Sequence, residues 1–267
     1  MKIKNEPRDH YSVSQLTTYL RCPLSYYYQY DLGISWKTTP SAVAFGKTMH
    51  DAIAQVNRSL MDIPMSQDDA EDVFTQLWSH TVATDDSIGW KRTDEAGKLL
   101  TKGVGLIRLY VEEYKDARPV AVELPWRLPI LDPASGLFIE SRDAVGIIDA
   151  LFQSAEGGHN LVEVKTSSRS LSCGDAENNL QLTLYSYAHN MLYGEKESDI
   201  SLVVLVKTQE PKLQLLHTKR CAADYTRLIS LMEKVIMCID KGIYYPNPEP
   251  RICCTCSYKE ECKDWPK

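Results

Sequence analysis

The sequence predicts an α/β domain with a helical cap and a cysteine-rich, metal-type tail. Three observations carry that expectation: helical periodicity fills residues 41 to 117, short β-branched apolar runs with turn residues between them take over from 120 to 217, and four of the eight cysteines crowd residues 253 to 262. With 267 residues of which 43% are hydrophobic, the chain can bury a sizeable core. No apolar run approaches a membrane span, and the Met1-Lys-Ile-Lys-Asn-Glu6 start lacks the apolar stretch of a secretion signal. The expectation is a cytoplasmic protein, nuclear in a eukaryote, with no membrane partner. A net charge of −6 gives no general affinity for nucleic acid, so any DNA contact must come from a local groove.

Residues 11 to 30 read as a short helix capped by Ser12 or Ser14, interrupted at Pro23 and then resumed. Its tyrosines between Tyr26 and Tyr30 suit core packing with hydroxyls at the surface, with base stacking as the sharper alternative. Ala42, Val43, Phe45, Met49, Ile53, Val56 and Leu60 give residues 41 to 60 one apolar helical face. That helix carries Gly46-Lys-Thr-Met-His50, which is not a phosphate-binding loop because Ser41 stands where the first glycine is needed. Ser66-x-x-Asp69 starts a second helix to about Val82, and a third runs from Thr93 to about Ala117, so three helices precede any strand. Strands follow at 120–130, 136–140, 145–152 and 161–165 as a mostly antiparallel meander, with residues 131–136 as a turn. A helix at 179–193, strands at 201–207 and 212–217, a helix at 224–239 and a proline-stiffened link at 244–250 complete the chain. The domain expectation is a helical region 1–117, a core 118–243 and a tail 244–267.

The chemistry concentrates on one strand pair. Val145-Gly-Ile-Ile-Asp-Ala-Leu-Phe152 and Asn160-Leu-Val-Glu-Val-Lys-Thr166 flank a polar gap whose Gly157-Gly158 can supply the positive φ of a hairpin turn. Apolar strands carry charge only for a reason, yet these hold Asp149, Glu163 and Lys165. Side chains alternate along a strand, so Glu163 and Lys165 share a face that Asp149 can reach across the pair. Two carboxylates beside an amine can hold one or two divalent cations and hydrolyse a phosphodiester. The ordinary alternative is a set of solvent-facing charges on an edge strand.

With Gly146-Ile-Ile-Asp149, Glu163-Val-Lys165, Gln181-Leu-Thr-Leu-Tyr185 and the cysteine pattern, the chain resembles the PD-(D/E)xK nuclease superfamily, and within it the RecB-like branch of Cas4-like and exonuclease V-like nucleases. The likeness spans residues 22 to 262 and implies a restriction-endonuclease-like mixed sheet flanked by helices. It implies Asp149 and Glu163 as Mg²⁺ or Mn²⁺ ligands with the Val164 carbonyl, His50 as an imidazole ligand, and Lys165 as the group that orients the attacking water. Gln181 and Tyr185, four apart on one helix face, would stand beside the strands and hold the DNA backbone or that water. Glu123 is a weaker candidate for a further acidic role. The residue before Asp149 is Ile148, so the literal Pro-Asp is absent.

Cys253-Cys-Thr-Cys256-Ser-Tyr-Lys-Glu-Glu-Cys262 offers three spaced thiols, and Cys22 can complete a set of four. By spacing alone the set suits tetrahedral Zn²⁺. The resemblance implies a [4Fe–4S] cluster on Cys22, Cys253, Cys256 and Cys262 instead. The function it implies is a metal-dependent DNA exonuclease acting on single strands or DNA ends in repair, recombination or phage or CRISPR DNA processing. Protein partners stay open, and so does a non-catalytic subunit that binds DNA ends.

Overall fold

The computed structural model describes residues 8–91, 95–132 and 134–265. The Met1–Glu6 start, the Thr93 helix start and Pro133 of the 131–136 turn lie outside them. The chain divides into two compact units of separated segments, Met1–Lys37 with Trp126–Gly146 and Cys221–Lys267, and Thr38–Pro125 with Ile147–Arg220.

Strand β1 (His10–Ser12) leads directly into α1 (Val13–Arg21). Ser12 caps that helix reciprocally with Gln15, side chain to backbone in both directions, which satisfies two otherwise orphaned N–H groups. Cys22 ends α1, and Pro23 opens α2 (Pro23–Tyr26), which runs on as a π-helical turn, Tyr27–Asp31. The interruption at Pro23 is therefore as expected. Tyr26 and Tyr28 are core residues, but the Tyr26 hydroxyl is buried and not at the surface.

A two-stranded parallel pair, β2 (Thr39–Pro40) with β3 (Ile88–Gly89), brackets α3 (Ser41–Ser59) and α4 (Gln67–Thr84), and α5 (Ala96–Tyr114) follows. Ser66 and Asp69 form the expected capping box on α4. Then come β4 (Pro119–Leu131), β5 (Phe138–Gln153), β6 (His159–Ser167), α6 (Cys173–Glu177), α7 (Leu180–Tyr193), β7 (Asp199–Val206), β8 (Lys212–Thr218), α8 (Ala222–Asp240), α9 (Pro250–Cys253) and α10 (Lys259–Cys262).

The sheet is mixed. Strand β4 pairs β5, β5 and β6 are antiparallel from Gln153↔His159 to Ala150↔Val162, β6 and β7 are parallel from Asn160↔Asp199 to Ser167↔Val206, and β7 and β8 are antiparallel. Gly157 and Gly158 turn the β5–β6 hairpin with φ of +91° and +73°, as their sequence suggested. Two expectations need correction. The strands at 136–140 and 145–152 are one strand, β5, because β1 pairs in parallel with its middle, Asp143–Val145, and holds the link between them extended. The β5–β6 hairpin of the meander is antiparallel as expected, and β7 beyond it joins β6 in parallel, with α6 and α7 supplying the crossover that such a neighbour needs. Strands do precede the third helix, but β1, β2 and β3 are too short to show alternation and depend on their partners for pairing.

One face of the sheet, through Val162, Val164, Val203 and Leu205, packs into a core with Phe45 and Met49 of α3, Phe74 and Trp78 of α4, and Leu106, Ile107 and Tyr110 of α5. Among the described residues no helix is long and apolar enough to cross a membrane. The packing of α4 on α5 requires Gly103: a Cβ there would lie 2.1 Å from the Phe74 ring. Gly103→Ala should cost about 1–3 kcal/mol by overpacking, read as a lower urea midpoint at unchanged slope, and an unchanged midpoint would refute this contact.

Candidate active site

The hairpin that holds Asp149 and Glu163 opens just where the two residues stand. Beyond Ala150↔Val162 the Asp149 side chain takes over from the ladder, its Oδ2 accepting the Val164 N–H at 2.8 Å. That bond fixes the carboxylate against the peptide between Glu163 and Lys165. From α3, His50 brings Nδ1 to 3.4 Å from the same oxygen. The helix comes this close because residue 46 is glycine: a Cβ there would meet Thr166 Oγ1 of β6 at 3.3 Å.

Glu123 of β4 completes the group. One ligand atom each from His50, Glu123 and Asp149 lie within 4.8 Å of one another, a spacing a single cation can bridge. The sequence left Glu123 a minor part, and the structure brings it to the centre. Its backbone sits at φ 50°, the one non-glycine positive φ among the described residues. Such a conformation costs on the order of 1–3 kcal/mol and persists only where the surroundings impose it. The signal available in the sequence was an acid inside the otherwise apolar Val120-Ala-Val-Glu-Leu124 run.

Glu163 is fully buried. Its carboxylate is ion-paired with the Lys165 ammonium and has no other hydrogen-bond partner among the described residues. Burial first, and then repulsion by Asp149, raise its carboxyl to about 8 against the pull of Lys165 and His50. Burial raises Glu123 as well, helped by Asp149. Desolvation pulls the His50 imidazole down, but its hydrogen bond to Asp149 and the charges of Asp149 and Glu163 outweigh that and leave it raised. Crowded carboxylates that resist ionisation form a set that a divalent cation satisfies.

Helix α7 brings two further predicted residues alongside. Gln181 Nε2 donates to the Tyr185 hydroxyl at 2.9 Å, and burial and then the Glu163 charge raise that phenol. The helix is pinned at both ends. Buried Arg220 donates to Thr183 Oγ1 and to the Ala176 carbonyl, each at 2.7 Å, while the His189 and His159 rings meet at 2.9 Å, Nε2 to Nδ1, at the start of β6. Val164, expected to offer its carbonyl, is fully buried and lies at the site through its N–H bond to Asp149.

A model of the PD-(D/E)XK nuclease superfamily matches residues 10–263. The chain belongs to that superfamily. A solved structure from Eubacterium rectale, named as a candidate exonuclease, is similar with a TM-score of 0.54 at 13% identity, covering 97% of this chain and 92% of its own. The structure of SSO0001 is similar with a TM-score of 0.45 at 14% identity, covering 98% of this chain and 88% of its own. A search of curated proteins finds no match.

Nucleases of this superfamily work with divalent cations, and in this member His50, Glu123 and Asp149 offer a site for one. The four cysteines predicted to hold a metal lie in the other unit. All eight cysteines are free thiols. Cys22, Cys256 and Cys262 pack with Leu24, Tyr28 and Tyr258, and the Cys262 thiol is raised by burial and then by Cys22, Cys256 and Cys253, so the four predicted cysteines are brought together. Backbone N–H groups of Asn247 and Tyr258 donate to Cys22 Sγ and Cys256 Sγ, both at 3.4 Å.

The acidic group predicts a pH-dependent ion affinity. Mn²⁺ should raise the Tm of the purified protein, more at pH 8 than at pH 6, because a Glu163 carboxyl raised to about 8 is mostly protonated at the lower pH and the ion must displace that proton. Glu123→Ala and His50→Ala should each shrink the shift, and an Mn²⁺ effect that both variants retain in full would locate the ion elsewhere.

Proposed function

We propose that the protein is a Mg²⁺- or Mn²⁺-dependent DNA exonuclease of the RecB-like branch, acting on single strands or DNA ends in repair, recombination or phage or CRISPR DNA processing. The observation that carries the reading is the convergence of His50, Glu123 and Asp149 beside the buried Glu163–Lys165 pair. The candidate exonuclease from Eubacterium rectale, similar in fold, supports the exonuclease assignment. Asp149 and Glu163, with His50, Glu123 and the Val164 carbonyl, would hold the cation. When bound, that ion supplies Lewis acidity for the phosphoryl group and a lowered pKa for water.

The protein's own groups do the rest. Lys165, with its side chain 38% exposed, can turn its ammonium from Glu163 toward the phosphate and the attacking water, orienting one and balancing the charge that builds on the other. Gln181 and Tyr185, already bonded to each other, offer an amide and a phenol beside the catalytic strands for the DNA backbone. The hydroxyl of Tyr185 stays protonated and donates, because burial and Glu163 hold its pKa up. Asp149→Ala, Glu163→Ala and Lys165→Ala should each reduce Mg²⁺- or Mn²⁺-dependent degradation of end-labelled DNA below about 1% of the parent, a loss of roughly 3 kcal/mol or more in transition-state stabilisation. Degradation that survives all three substitutions would exclude this site. Binding of DNA ends without cutting would instead favour a non-catalytic subunit.

For the four cysteines the reading is a [4Fe–4S] cluster, with Zn²⁺ as the alternative cargo. The burial of Cys22, the crowding around Cys262 and the donors to Cys22 and Cys256 sulfur support a thiolate site of either kind. Such a site joins Cys22 to the tail 244–267, and closing so long a loop is worth on the order of 5 kcal/mol by the chain-entropy model. Anaerobically purified protein should be brown and contain iron and sulfide, and Cys262→Ser should lose both and melt at a lower temperature. Stoichiometric zinc in a colourless preparation would decide for Zn²⁺.

A further inference from the structure

Helix α3 brings more than His50 to the acidic group. Phe45, Met49, Ile53 and Val56 bury one side of the helix, and Lys47, Asp51 and Arg58 stand exposed on the other. Lys47 and Arg58 are three helical turns apart, so they lie within about 20° of each other around the axis and about 16 Å apart along it. His50 stands between them along the helix, and both are within about 80° of it around the axis. The stripe therefore borders the imidazole that meets Asp149 at 3.4 Å. Glu123, across on β4, ties Arg58 to the cluster a second time. Burial first and then Asp149 raise its carboxyl, and after His50 it is the Arg58 charge that opposes them, with Asp51 adding to the rise. On α5 of the same unit, Arg108 is already neutralised by Asp68 and Glu71. Among the described residues, Lys47 and Arg58 have no ion pair or side-chain hydrogen bond.

We propose that Lys47 and Arg58 hold two backbone phosphates of a DNA single strand that runs along α3 and past His50, one on each side of the acidic group. Glu123, Asp149 and Glu163 crowd that group in a chain of net charge −6, so a polyanion approaching it is repelled unless cations placed locally offset them. Two cations fixed on one helix supply that offset. They position a strand without reading its bases, because phosphate is the same at every nucleotide. The guanidinium can meet a phosphate with two parallel N–H donors, and the ammonium meets one as a point charge on a flexible stem. Asp51, exposed between the two, works against the strand, which gives the proposal a substitution of opposite sign. Arg58 also lies in the last turn of α3, where a cation favours the helix C-terminus. A role confined to that would move stability and leave DNA affinity alone.

The cation pair rests on the nuclease reading for its substrate, but strand binding is measurable without cleavage. The test uses the full chain carrying Lys165→Ala, to prevent degradation while leaving His50, Glu123 and Asp149 in place, with Mg²⁺ and fluorescein-labelled oligothymidylate followed by anisotropy. Lys47→Gln and Arg58→Gln should each weaken binding about 5-fold and make log K against log salt shallower by about 0.7, and by about 1.4 together. Arg58→Lys should keep the parent's slope, and Asp51→Asn should tighten binding. A strand of abasic nucleotides should show the same losses, since the contact is to phosphate. Lys196→Gln is the control, on the turn entering β7 at the end of the sheet away from Thr166, and should change neither affinity nor slope. An unchanged salt slope in Lys47→Gln or Arg58→Gln, an equal loss in Lys196→Gln, or weaker binding in Asp51→Asn would overturn the pair. If the unsubstituted protein cuts no DNA with either cation, the nuclease reading fails, while these binding measurements still decide the pair on their own.

Discussion

Glu163 is a carboxylate without solvent, held beside a second carboxylate and answered by the Lys165 ammonium. Leaving it ionised in that position costs free energy that packing cannot return, and its raised pKa expresses the cost. Much of the surrounding unit can be understood as the means of keeping it there. Strand β6 is flanked on one side by the parallel β7 and on the other by the hairpin to β5, and its alternate residues Val162 and Val164 are locked into the helical core. Pairing on both sides and packing of its alternate residues hold Glu163 away from water.

The elements that meet this strand do so through single close contacts. Gly46 lets α3 approach Thr166, and His50 follows one turn later. Asp149 is aimed by the Val164 N–H, so a backbone group of the catalytic strand sets the direction of a side chain from its neighbour. Glu123 reaches the group at the cost of a left-handed backbone inside a strand, which places local strain and the acidic cluster at the same residue. Strain of this kind is tolerated where a site needs a side chain that regular β geometry would aim elsewhere.

The cysteine unit follows a different logic. Tyr28 donates to the Glu261 carbonyl and Tyr258 to that of Ile34, so the tail is bound to the N-terminal segment by neutral hydrogen bonds and ring packing as well as by any metal. Cys22 gains its position from the break that Pro23 imposes between α1 and α2. A proline that reads only as a helix interruption thereby sets a buried thiol at the point where the tail arrives.

Much of this was legible in the chain itself. Apolar runs interrupted by Asp149, Glu163 and Lys165 announce a site because strands do not bury charge idly, and Ser12, Ser66, Pro23 and Gly157-Gly158 act through local backbone chemistry that needs no partner. Periodicity located α3, α4, α7 and α8 for the same reason. Pairing is different, since a strand's direction and neighbours depend on residues far away in sequence: the parallel β6–β7 ladder, the continuity of β5 and the three short strands β1 to β3 arise only when the chain closes on itself. Glu123 is the clearest case. Its letter in an apolar strand could raise suspicion, but only the three-dimensional meeting of β4 with α3 and the open end of the β5–β6 hairpin turns it toward His50 and Asp149, because convergence is a property of distances that sequence order does not contain.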